Sequence, residues 1–155
     1  METTCMGHDE KLKLFEACKD ILQTRVNNAE HAMKASQEAA NGEEKSSAGD
    51  KYETSRAMGH RDRDMYARQM VEANTELNRI GSVNLETSKL VKTGSLVCTK
   101  TAMYFILTGI GKLTYQQKEV MVLSPLSPLA RLFIGKKAGE TFVFNQLSHE
   151  IWNIV

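Results

Sequence analysis

From Phe15 to Ala40 the apolar and small residues Phe15, Cys18, Leu22, Val26, Ala29, Met33, Ser36 and Ala40 recur in steps of three and four. That alternation keeps one stripe of a helix facing a partner, as in a coiled coil. The same rhythm returns at Tyr66, Met70, Ala73, Leu77 and Ile80, and between the two runs stand Asn41-Gly42 and Ser46-Ser47-Ala48-Gly49, residues that stop helices and turn the chain. The spacing therefore predicts an antiparallel hairpin of two helices, each arm about 45 Å long at ~1.5 Å per residue. Its other faces carry Lys13, Glu16, Lys19, Arg25, Glu30, Lys34 and Glu38. The rod is then solvated outside its seam, unless further elements cover those faces in a helical bundle. Such a rod encloses no pocket, but it can reach into another molecule.

The hairpin cannot account for the whole chain of 155 residues. No proline precedes Ile80, whereas after Gly81 Val, Ile, Thr, Tyr and Phe become frequent and both prolines occur. This shift divides the chain at 82/83 into a hairpin, 1–82, with an acidic tip near 43–53, and a small β-rich domain, 83–155. Strands are expected at 94–98 and 103–107, paired across a turn at 99–102, then at 119–123, at 141–144 and at the terminus, 149–155. A short helix fits within 124–140: Ser127 can cap it, Pro128 suits its first turn and Leu129, Leu132 and Phe133 give an apolar face. Gly135 can stop it, with Lys136 and Lys137 near its negative end, and Gly139-Glu140 turns into the next strand. The fold class is α+β, a two-helix coiled coil followed by a small antiparallel sheet with one short helix.

With 20 Lys and Arg against 19 Asp and Glu, the formal charge of +1 gives no global attraction for nucleic acid or a membrane surface. The opening METTCMGHDEKLK lacks the apolar core of a signal peptide, and no later run approaches the ~18 apolar residues of a membrane span, so a cytoplasmic protein is expected. Cys5, Cys18 and Cys98 are widely spaced, without a CxxC or a paired His, and read as reduced thiols. Cys98 and His149 could be imagined as nucleophile and base. However, Cys98 sits in an apolar strand pattern without an orienting third group, which favours a buried structural residue.

The end of the hairpin, SSAGDKYET at 46–54, holds Asp50 and Glu53 three positions apart. A capping box explains the pair, Asp50 accepting from free backbone N–H groups and Glu53 reaching back. Carboxylates at that spacing also share a helix face, from which both could reach a divalent cation held elsewhere by further carboxylates. Beyond them Arg56, Arg61, Asp62, Arg63 and Asp64 crowd around His60, with Met58 and Met65 as the main apolar residues. Charges so arranged make a solvated face whose ion pairs contribute a few tenths of a kcal/mol each.

The run Ser127-Pro128-Leu129-Ala130-Arg131-Leu132-Phe133-Ile134-Gly135-Lys136-Lys137-Ala138-Gly139-Glu140, with the strands before it and the hairpin, resembles the bacterial Gre family of transcript-cleavage and elongation factors. That family's tip motif is G-D-x-x-E-N-A/S-E-Y, and Gly49-Asp50-Lys51-Tyr52-Glu53 keeps its first half. The resemblance covers most of the chain. It implies a coiled coil that enters the secondary channel of RNA polymerase and an FKBP-like domain, without isomerase activity, that docks at the channel mouth. Ser127, Pro128, Gly135 and Lys136 would dock; Lys51, Arg56 and Arg61 would contact the nascent RNA near its 3′ end. Asp50 and Glu53 would act as catalytic and metal ligands, holding a second Mg²⁺ shared with the polymerase and not bound by the factor alone. Under this reading the chain is a monomer without activity of its own, which stimulates the polymerase's hydrolysis of backtracked transcripts. Thr54-Ser55-Arg56 follows Glu53, so the family's Asn and its Glu-Tyr are missing. This raises the alternative of a channel-binding regulator of initiation or pausing that does not stimulate cleavage; a third reading is a coiled-coil module with another client.

Overall fold

The computed structural model describes residues 4–42 and 49–155, with residues 42, 49–53 and 55 described by their backbone alone. Two compact units divide the chain, one formed by Met1–Cys18 with Ile80–Val155 and the other by Lys19–Arg79.

The second unit is the helical hairpin. Helix α1 spans His8–Gly42 and α2 spans Gly49–Gly81. The expected seam is the seam observed: Leu22, Ala29 and Ala40 are buried, Val26, Met33 and Ser36 half-buried, and so are Tyr66, Met70, Ala73 and Leu77, while most residues between them are exposed. Two contacts fix the helices against each other. A Cβ on Gly59 would stand 2.9 Å from Ala40 Cβ and 3.2 Å from the Ser36 carbonyl oxygen, so the backbones approach where only glycine fits. Four residues on, Arg63 Nη1 donates to Gln37 Oε1 at 2.6 Å.

In the first unit a five-stranded sheet runs β3-β4-β2-β1-β7, with β1 Leu96–Cys98, β2 Met103–Ile106, β3 Gly111–Tyr115, β4 Lys118–Leu123 and β7 Asn153–Ile154. Strands β5 (Thr141–Phe144) and β6 (Leu147–Glu150) pair as a separate hairpin. Sheet and short helix α3 (Pro128–Phe133) are arranged as expected for an α+β unit, with one parallel pair, β2 with β4, among the antiparallel ones. Two expectations about strands need correction. The terminal strand is divided, because at Ile151 and Trp152 the chain leaves the hairpin for the main sheet; Ile151 N–H donates to Glu140 O at 2.9 Å and Trp152 N–H to Cys98 O at 2.8 Å. Strand β3 was not anticipated, since its alternation of exposed and half-buried residues gives GKLTY no apolar run.

Both faces of the sheet are covered. On one, Val97 and Ile106 pack with Ala130 and Phe133 of α3, Phe142 and Ile154, and Tyr104, Phe133 and Phe142 form a chain of tilted rings at 5.4 and 5.2 Å. The pairing register puts Leu96 opposite Phe105 and Cys98 opposite Met103, so these four share the other face, and all are buried. That face meets the start of the chain, because Cys5 and Cys98 form a disulfide. This corrects the expectation of three reduced thiols: 93 positions separate the two cysteines, and only the fold brings them together. Glu10 Oε2 accepts from Lys118 Nζ of β4 at 3.1 Å, and that bond, with one from Gly7 N–H, lowers the Glu10 pKa. The next residue, Lys11, is fully buried and its Nζ has no hydrogen-bond partner among the described residues. Burial, with repulsion from Lys92 second, pushes its pKa down to about 8.

Candidate functional site

The hairpin end is built by the start of α2. Residues 43–48 of the expected acidic tip lie outside the described residues; Asp50, Lys51 and Glu53 fall within the first turns of the helix, which begins at Gly49. The first N–H groups of a helix have no partner within it and carry partial positive charge, so this is the end at which carboxylates are stabilised. Asp50 and Glu53, three apart, occupy one helix face. Their side chains, and that of Lys51, on which the cap and metal-ligand readings fall, lie outside the described ones. Arg56 and Arg61 are exposed, and Met58 is 58 % exposed. Next along the helix come Gly59 against Ala40 and the Arg63–Gln37 bond, with Arg63 Nη2 also 3.0 Å from Asp64 Oδ1. Sequence reasoning missed these two clamps. A lone glycine inside a strong helical pattern was the available signal; Gln37, polar and adjacent to the seam, gave none.

Among the described residues no group of three or more His, Cys, Asp and Glu is placed to hold a metal ion. Two carboxylates on one helical turn suit a hard cation such as Mg²⁺ in kind, since it prefers oxygen ligands, but they fall short of its six positions. A partner would have to supply the rest.

The segment predicted to dock is held in place by its backbone. Ser127 caps α3, its Oγ accepting from Ala130 N–H at 3.2 Å, and Pro128 occupies the first turn. Ile134 ends the helix, and Gly135 follows at φ +87°, a left-handed conformation that glycine adopts without steric cost. The next residues are then tied to the strand side: Gly135 N–H donates to Val91 O and Val91 N–H to Lys136 O, both at 2.8 Å. Lys137 N–H donates to Glu140 Oε2 at 2.7 Å, and Gly139 N–H to Ile151 O at 2.8 Å. Of the expected apolar face, Phe133 is buried and Leu129 half-buried, but Leu132 points outward. A six-residue helix has a single inward stripe, and Ala130 and Phe133 fill it. Leu132 and Ile134 are therefore exposed beside the docking residues, as is Leu126 just before them.

The imagined pairing of Cys98 with His149 is removed by the fold. Cys98 is disulfide-bonded, and His149 stacks on Phe142 across the β5–β6 hairpin, with ring centres 5.2 Å apart.

No protein-family model matches this chain, and no curated protein matches it. Among solved structures it is similar to that of the transcription factor Gfh1, at 14 % identity, over 98 % of this chain and 95 % of the other, with a TM-score of 0.34. A superposition that loose carries no argument about function. No described helix is long and apolar enough to cross a membrane.

Proposed function

We propose that this chain is a regulator of RNA polymerase that docks through the 127–136 segment of its globular unit and occupies the secondary channel with its hairpin, without stimulating transcript cleavage. The observation that carries this reading is the hairpin itself, two helices of 35 and 33 residues whose inward side is one narrow seam. Most of the described residues of this rod are solvent-facing, which suits insertion into a larger molecule. The segment Ser127–Glu140 and the Gly49–Glu53 stretch supply the sequence resemblance to Gre factors at the two places where such a factor would touch the polymerase.

The non-cleaving form is favoured by Arg56. It stands where the resembled tip motif has its last Glu, and it lies three residues after Glu53, on the same face and exposed. A guanidinium one turn from the carboxylates opposes a second divalent cation there, since like charges at such distances repel. A second reading keeps cleavage: Asp50 and Glu53 would help hold a Mg²⁺ ion, which supplies the polarisation of an attacking water. On that reading this chain's contribution is to bring two carboxylates on a stiff helix to an ion otherwise held by the polymerase.

Binding to purified core polymerase, in competition with a transcript-cleavage factor, tests the proposal. The chain should bind and displace the cleavage factor, and truncating the hairpin between residues 30 and 68 with a short linker should leave docking but abolish competition inside the channel. Failure to bind polymerase would reject both readings in favour of a coiled-coil module with another client.

A further inference from the structure

The Cys5–Cys98 cross-link joins the stretch ahead of α1 to the end of β1, with a Cα–Cα distance of 5.8 Å. Cys98 is buried and directly opposite Met103, on the sheet face away from α3, so the bond lays residues 4–7 over that face. Met6 is buried beside it, and Asn153 Nδ2 lies 3.8 Å from Cys5 Sγ. Thr4 forms one wall of a groove of about 510 Å³, whose other walls include Met103, Tyr104, Lys118 and Val120. On the opposite face, the core of Val97, Ile106, Phe133 and Phe142 contains neither cysteine. Opening the bond therefore removes no residue from that core.

The third cysteine does not compete. Cys18 is buried, and desolvation pushes its thiol up to about 12, so it stays protonated and unreactive. Of the bonded pair, Cys5 is half-buried and Cys98 is 2 % exposed, which leaves Cys5 Sγ as the sulfur an incoming thiolate can reach.

We infer that the Cys5–Cys98 disulfide is a redox-operated strap, which holds residues 4–7 beside the groove when oxidised and releases them, removing a groove wall, when reduced. The reductant is a dithiol. One of its thiolates attacks Cys5 Sγ, the Cys5–Cys98 bond breaks, and Cys98 leaves as a thiolate that takes up a proton. The reductant's second thiol then displaces Cys5 from the mixed disulfide; Cys5 leaves as a thiol and the reductant becomes a disulfide, two electrons having passed to the protein. This inference is independent of the polymerase reading.

Hydrogen exchange on the full chain, before and after reduction with dithiothreitol, tests it. Peptide mapping of the oxidised protein should show a 5–98 linkage, and reduction should raise exchange at residues 6 and 7 at least roughly tenfold while β1, β2 and β4 keep their protection. Cys5→Ser, which changes the less buried partner, should show the reduced pattern without any reductant. Three titratable thiols after mild oxidation with glutathione disulfide would overturn the inference. So would unchanged exchange at residues 6 and 7, or an equal rise throughout the sheet, which would make the bond a structural staple.

Discussion

In the hairpin, whether a residue is buried is decided by neighbours three and four positions away. In the globular unit it is decided by neighbours tens of positions away. The seam from Leu22 to Leu77 follows from spacing alone, because two local rhythms face each other. Phe133, by contrast, is buried because α3 is brought against Tyr104 of β2 and Phe142 of β5. The first kind of order makes a stiff rod with little core; the second makes a compact body held by a few large side chains. A rod suits reaching and a compact body suits holding.

The comparison can be broken most directly at Phe133. Phe133→Ala should lower the stability of the globular unit by about 3–5 kcal/mol, because a fully buried ring leaves a cavity between elements that cannot close. The matching truncation in the hairpin, Leu77→Ala, removes a half-buried side chain and should cost less than half as much. Denaturant unfolding measures both, with fluorescence of the single tryptophan, Trp152, reporting the globular unit and helical circular dichroism weighted to the hairpin. Equal costs would contradict the distinction.

Lys11 provides a pH-dependent test within the same unit. Its folded pKa, about 8, lies below the ordinary 10.5, so below pH 8 both states are protonated and the cost of burying the ammonium is fully present. Between pH 8 and 10.5 the unfolded state binds the extra proton, and stability from this group should rise with pH by about 2 kcal/mol. Lys11→Met should be the more stable protein at neutral pH and should lose that rise, which unfolding curves at pH 7 and pH 9.5 would show.

In the hairpin, Gly59→Val should destabilise by about 1–2 kcal/mol through the clash with Ala40. Gly81→Ala, with nothing within 4 Å of its new Cβ, should not destabilise. A thermal melt followed at helical wavelengths separates them, and equal effects would mean that helix propensity, not close approach, governs position 59.

These differences also explain what could be read in the sequence. Both helices, the seam, the Ser127 cap, the Gly135 stop and most strands were legible because each depends on residues within a few positions. The disulfide, the parallel β2–β4 pair and the β6–β7 division were not, because each depends on where distant segments meet. Strand β3 was hidden for a related reason, lying at the sheet edge where half its side chains face solvent. At the hairpin end, the motif of Asp50 and Glu53 was legible, as was its departure at Arg56. What these residues do depends on a partner, and local pattern does not carry that information.

Transcript cleavage in stalled, backtracked elongation complexes tests the central claim most directly. Wild-type protein, Asp50→Asn, Glu53→Gln and Arg56→Glu would be added with Mg²⁺ and a saturating level of each confirmed by binding. The account predicts that wild type and both neutralised variants bind without accelerating cleavage, and that wild type slows cleavage stimulated by a competing factor. Faster cleavage with wild type, lost in Asp50→Asn and Glu53→Gln while binding persists, would contradict it and make the two carboxylates working ligands.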